Sequence, residues 1–224
     1  MLTPEQENLL HRLVDVFLEE NSKLNLSAFR TPEQCWIGNV LDSLSLLDVL
    51  PQLGKVETIF DIGTGGGFPL LPLAICLPSF HFVGIDSTKK KIDAIGRIAK
   101  KMNLTNVEFV CGRAEELGHD PRFRERADLV TARGVAEIAT LLEFTSPFVK
   151  PKGHVVLWKS LTIEAELQSS LLARAEFSTH LKELNRYKLP ADWGERQLLI
   201  LEKSSKLTKK YPRGVGVPKK EPLQ

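Results

Sequence analysis

The 224-residue sequence predicts an α/β protein: a mostly parallel sheet covered by helices, with a C-terminal antiparallel hairpin and an N-terminal helical extension. Three observations carry this expectation. Short apolar runs rich in Val, Ile and Phe recur: "ETIFDI", "HFVGID", "VEFVCG", "ADLVTA" and "HVVLWK". Helical stretches at 69–77, 88–102, 135–149 and 162–176 separate them, and such alternation builds βαβ units with helices on both faces. Near the end, "HLKELNRYKL" and "ERQLLILEKS" enclose only the turn "PADWG", too short for a crossover helix.

The elements follow in order. Thr3-Pro4-Glu5-Gln6 is a helix start, with a capping hydroxyl, proline at the first helical position and Gln three residues after the cap. Leu9, Leu10, Leu13, Val14, Phe17 and Leu18 then keep one apolar face at helical period. Thr31-Pro32-Glu33-Gln34 repeats the signal, and Trp36, Ile37, Val40, Leu41, Leu44 and Leu47 predict one further helix. Residues 1–52 thus form a helical cap placed before the first strand.

Between the first strand and the helix after it stands "IFDIGTGGGFPLLPLA", with Gly63, Gly65, Gly66 and Gly67 within five positions. The carboxyl ends of parallel strands are where such sheets bind ligands. A dinucleotide loop would place its third glycine three after the second, yet Phe68 stands there. Asp61, two before the first glycine, would repel a pyrophosphate and attract a cationic ligand. S-adenosylmethionine fits, because bare main chain lets its methionine portion approach without side-chain collision. Asp86, at the end of the second strand, is placed to accept from both ribose hydroxyls, although alone it would suit a nicotinamide cofactor equally. In "GRAEEL", Ala114 and Glu115 fall in the next carboxyl-end loop. There Glu115 either accepts from an adenine amine or simply begins a helix turn.

Bulk properties narrow the classes. Apolar residues at 42% and charged residues at 26% are ordinary for a globular protein. No apolar run approaches the roughly 20 residues of a membrane helix, and the N-terminus lacks a secretory layout, so a cytoplasmic location is expected. Cys35, Cys76 and Cys111 are expected as reduced, packed thiols, and no Cys or His stands at ligand spacing, so no metal is expected. Of the 30 Lys and Arg, six lie in residues 205–224 beside one of the 28 acids. This basic segment reads either as an arm for a polyanion or as a solvated, flexible terminus. Its Lys209, Lys210, Arg213, Lys219 and Lys220, with Lys89, Lys90 and Lys91 on the second-strand helix, are candidate RNA contacts. The expected organisation is a cap (1–52), an S-adenosylmethionine-binding core (53–204) and the basic tail (205–224).

The runs "NLSAFRTPEQ…NVLDSL", "FDIGTGGGFPLLPLA", "GIDSTKKK", "CGRAEEL", "DLVTARGVA" and "YPRGVGVPKKEPL" together resemble the glucose-inhibited division protein B family, the small-subunit rRNA (guanine-N7) methyltransferases. The resemblance spans nearly the whole chain. It implies a Rossmann-like class I methyltransferase fold acting on a guanine in the decoding-region loop of 16S rRNA; a monomer is expected. It places donor contacts on Gly63, Phe68, Asp86, Ser87, Thr88, Ala114 and Glu115, beside Asp61 and Gly65 from the loop argument, and puts Arg133 at the mouth near donor and target base. The competing reading of Arg133 is an ion pair with an acid such as Glu137. One departure stands out: the family usually reads Arg-His where this chain has Gly38 and Asn39. Asp42 and Ser43 match, and are expected to orient the cap rather than touch substrate. The residues alone leave open a small-molecule methyltransferase, an RNA-binding protein without catalysis and an oxidoreductase.

Overall fold

The structure, a computed structural model, describes residues 2–134 and 136–224. Its seven strands are β1 (Thr58–Ile62), β2 (His81–Asp86), β3 (Val107–Cys111), β4 (Ala127–Arg133), β5 (Val149–Lys159), β6 (Thr179–Lys188) and β7 (Glu195–Lys203). They form one sheet in the order β3-β2-β1-β4-β5-β7-β6. The first five pair in parallel, while β7 runs antiparallel to both β5 and β6. The expected sheet and closing hairpin are both present. Strand order reverses at β1 and β4, which opens a crevice at their carboxyl ends where the glycine loop lies.

On one face α1 (Pro4–Lys23), α5 (Leu70–Cys76) and α6 (Lys89–Lys101) cover the sheet. Thr3 and Gln6 close a capping box at the start of α1. Leu10, Leu13, Val14 and Phe17 are buried in the same core cluster as Leu70, Leu73 and Ile98. The buried Glu20 receives the Arg97 guanidinium at 2.7 Å, tying α1 to α6. The opposite face is covered by α8 (Ile138–Thr145) and α10 (Leu171–Glu176), around Phe60, Phe148 and Phe177.

Three expected helices change shape. The second is not continuous: α2 (Pro32–Cys35) runs into a π-helical turn at Trp36–Leu41, then α3 (Asp42–Leu44), α4 (Leu46–Val49) and a 3₁₀ turn. Gly38 and Asn39 are weak helix formers in its middle, and Ser43 Oγ donates back to the Asn39 carbonyl at 2.5 Å, a bond that bends helices. The 162–176 stretch divides into α9 (Glu164–Ser169) and α10 at the buried Ser170, whose hydroxyl donates to Leu167 O at 2.8 Å. The 135–149 stretch shortens to α8, because Val149 pairs with Ala127 as the first residue of β5. Short α7 (Ala114–Leu117) and α11 (Val217–Lys220) complete the fold.

Residues 205–224, expected as a flexible tail, lie packed along the core. Arg124 donates to the carbonyls of Leu207, Thr208 and Tyr211, and Tyr211 stacks edge-on against Phe177 at 4.9 Å. Glu125 accepts from Leu207 N and from Lys203, whose fully buried ammonium also donates to Ser146 O and Val149 O. A basic composition suggested a loose arm; buried acids on the core hold it instead.

Candidate functional site

The crevice at the ends of β1, β2 and β4 is a cavity of about 530 Å³. Its floor is the glycine loop. Gly63 N donates to Ile85 O at 2.8 Å and Thr64 N to the same oxygen at 3.0 Å, fixing the turn to β2. Gly67 has a φ of 88° and a side chain there would meet Leu71 at 2.5 Å, so it serves packing. Gly65 differs: its φ is 52°, yet a Cβ would meet nothing closer than Gly63 O at 3.6 Å. That open room faces the cavity Gly65 lines, and it is what a ligand approaching the main chain requires.

Asp86 closes one wall. Its Oδ2 accepts from Gly65 N at 3.0 Å and its Oδ1 from Thr88 N at 2.8 Å, so the carboxylate is fixed while each oxygen keeps a lone pair for a further donor. Glu115, also buried, accepts from Gly216 N at 2.9 Å. The cavity is therefore walled partly by the C-terminal segment, and Gly216 and Lys219 line it. Ser87, Thr88, Ala114, Gly63, Phe68 and Arg133 line it as expected.

Asp61 is the exception. It is buried behind the loop rather than lining the cavity; Thr131 Oγ1 donates to its Oδ1 at 2.8 Å. Its Oδ2 and the hydroxyl of Thr64 are buried without hydrogen-bond partners. Burial pushes the carboxyl up to about 6, against the opposing pull of the Thr64 and Thr131 hydroxyls and the Arg133 charge. Asp61, expected as a donor contact, thus lies outside the cavity lining.

Arg133 sits across the cavity, its guanidinium 5.9 Å from the centre of the Phe68 ring. Its ion-pair partner is Asp42 at 2.9 Å, not Glu137. Nη1 also donates to Gly38 O at 3.2 Å, and Nη2 to Asn39 Oδ1 at 2.9 Å. Gly38 and Asn39 thus hold the arginine together with Asp42. Asp42 is a hub: its other oxygen accepts from Tyr187 OH at 2.6 Å, and its carbonyl accepts from Trp158 Nε1 at 2.8 Å. Burial and the Asp42 charge hold the Tyr187 phenol protonated, above its ordinary range. The sequence flagged Asp42 for orienting the cap; its bond to Arg133 was legible only in three dimensions.

Two of the expected RNA contacts in the basic tail are paired within the chain. Arg213 is bound bidentately by the buried Glu143, at 2.6 Å for the shortest contact. Lys210 pairs with Glu176 at 2.8 Å. Arg213 is thereby committed within the chain, whereas Lys210, like Lys209, Lys219 and Lys220, stays exposed. Cys35 and Cys76 are buried, and burial pushes each thiol up to about 11. Cys111 is exposed, not packed. Among the described residues no cluster of His, Cys, Asp or Glu is arranged to hold a metal.

A glycine-floored crevice, an aspartate fixed at the second strand's end and a seven-stranded sheet with an antiparallel seventh strand define an S-adenosylmethionine-dependent methyltransferase. Solved structures agree on the fold: precorrin-6y C5,15-methyltransferase from Geobacter metallireducens (TM-score 0.52, 16% identity, 70% of this chain and 86% of that one) and ribosomal protein L11 methylase from Lactobacillus delbrueckii subsp. bulgaricus (0.52, 17%, 72% and 77%). The model of the rRNA small subunit methyltransferase G family matches residues 6–198. Ribosomal RNA small subunit methyltransferase G of Oenococcus oeni is 37% identical over 96% of this chain and 88% of its own length. That of Carboxydothermus hydrogenoformans is 36% identical over 98% and 92%. The chain belongs to this family.

Proposed function

We propose that the chain transfers a methyl group from S-adenosylmethionine to N7 of a guanine in the decoding-region loop of 16S rRNA. The observation that carries this reading is one cavity in which the Gly65–Asp86 cradle faces an arginine locked by Gly38, Asn39 and Asp42. When bound, S-adenosylmethionine supplies an electrophilic methyl on a positively charged sulfur. The room above Gly65 admits a ligand against the main chain, and Asp86 offers acceptors for ribose hydroxyls. Guanine N7 carries a lone pair and no proton, so the protein has no proton to remove, and holding the partners in line dominates.

The lining residues suit that demand. Asp86 and Glu115 each accept from main-chain N–H groups, which holds both carboxyl groups in place as acceptors. Thr131-Ala132-Arg133 offers neither a cysteine nucleophile nor an acceptor for an exocyclic amine. Arg133, with both terminal nitrogens committed, presents a fixed positive charge and a planar face to a base rather than a mobile side chain. The reading carries a monomer in the cytoplasm with it. It is tested by incubating the protein with labelled donor and 16S rRNA, naked and in small subunits, followed by borohydride and aniline cleavage. Scission at one guanine is expected. Label on ribose or exocyclic atoms without scission, or no label in RNA, would overturn it.

A further inference from the structure

Next to the donor cavity lies an aromatic pair that the chemistry above does not use. Phe29 and Trp193, both half-buried, meet edge to face at 5.2 Å. Phe29 comes from the connection between α1 and α2, and Trp193 from the β6–β7 turn. They are brought together by a missing side chain: a Cβ on Gly38 would stand 2.4 Å from Phe29 and 2.5 Å from Trp193. Gly38 therefore leaves the space both rings occupy, while its carbonyl accepts from Arg133.

The pair is continuous with the site. Phe29 N donates to Ser27 Oγ at 3.2 Å, and Ser27 and Asn39 line the cavity. The turn is also held in a costly shape. Ala191 and Asp192 have φ values of 52° and 59°, in the left-handed region that residues other than glycine seldom adopt. Strain of this kind persists where the surroundings impose it, and clusters at ligand clamps. Asp192 precedes Trp193 and Glu195 stands two residues after it, so a phosphate is disfavoured there and an uncharged ring face is not.

We propose that Trp193, braced by Phe29, is a stacking platform for an unpaired RNA base next to the target guanine. The inference rests on the rRNA reading of the site. Single-stranded bases are held on aromatic faces in this way, and each stacked base is worth a substantial factor in affinity. The role is one of positioning: the ring touches substrate RNA, not the reacting atoms.

The test compares wild type, Trp193→Ala and Trp193→Phe for methyl transfer to 16S rRNA, with donor affinity by calorimetry and thermal stability measured alongside. Trp193→Ala is expected to raise KM for RNA about tenfold, with kcat, donor affinity and melting temperature near wild type, and Trp193→Phe to restore most of the loss. Unchanged KM in Trp193→Ala, or equal losses in both variants, would overturn the platform while leaving the enzymatic reading intact. Wild type that transfers no methyl to RNA would overturn both.

Discussion

The orphaned carboxylate of Asp61 gives the sharpest handle on the site. Its pKa of about 6 stands against an ordinary 3.8, so the folded protein holds a proton there at pH values where the unfolded chain has lost it. The stability this lends is complete below about pH 4 and is lost as pH rises through 6. Above that, keeping the ion buried costs about 3 kcal/mol. Asp61→Asn removes the titration and keeps the shape. Its amide oxygen can still accept from Thr131, and its amide hydrogens face the unpartnered Thr64 hydroxyl. The variant should therefore match wild type near pH 4 and exceed it by about 3 kcal/mol at pH 7 and above, measured by urea unfolding across that range. Donor binding should move the other way, weakening by about tenfold because the cation loses the charge beneath the loop. A stability gap independent of pH, or a variant less stable than wild type at pH 8, would refute the reasoning.

Other expectations follow from the same geometry. Asp42→Ala leaves the half-buried Arg133 without its counter-ion; a loss of about 2 kcal/mol, together with a fall in kcat, should appear in melting and turnover assays. Tyr187→Phe removes one bond to Asp42 and should cost about 1 kcal/mol, with donor affinity unchanged by calorimetry. Arg213→Ala strands the buried Glu143, and the melting temperature should drop by about 6 °C or more. Deleting 205–224 uncovers Phe177 and removes Gly216 from Glu115, so donor binding should fail along with stability, not RNA binding alone.

What the sequence made legible was what local chemistry decides. The strand period of "IFDI" and "HFVGID", the capping boxes at Thr3 and Thr31, and the spacing from Gly63 through Phe68 depend on neighbours along the chain, and each element stands where its pattern put it. The cavity was legible for the same reason, since the glycine loop follows the end of one strand and Asp86 ends the next. The rest depended on partners remote in sequence. Glu115 and Gly216 are 101 residues apart, Asp42 and Tyr187 145, and no local pattern announces such pairs. The tail read as loose because its charges are visible in sequence while Glu143, Glu176 and the Arg124 donors that hold it are scattered. Asp61 was expected to touch the ligand, yet it is buried and does not line the cavity.

In the proposed reaction the Gly65–Asp86 cradle receives a cationic methyl donor beside Arg133. Titration calorimetry of wild type and Asp86→Ala with S-adenosylmethionine measures it directly. One saturable site in wild type, weakened at least about tenfold in the variant by loss of charge-assisted bonds, is the expected result; no binding by wild type, or equal binding by both, would contradict the account.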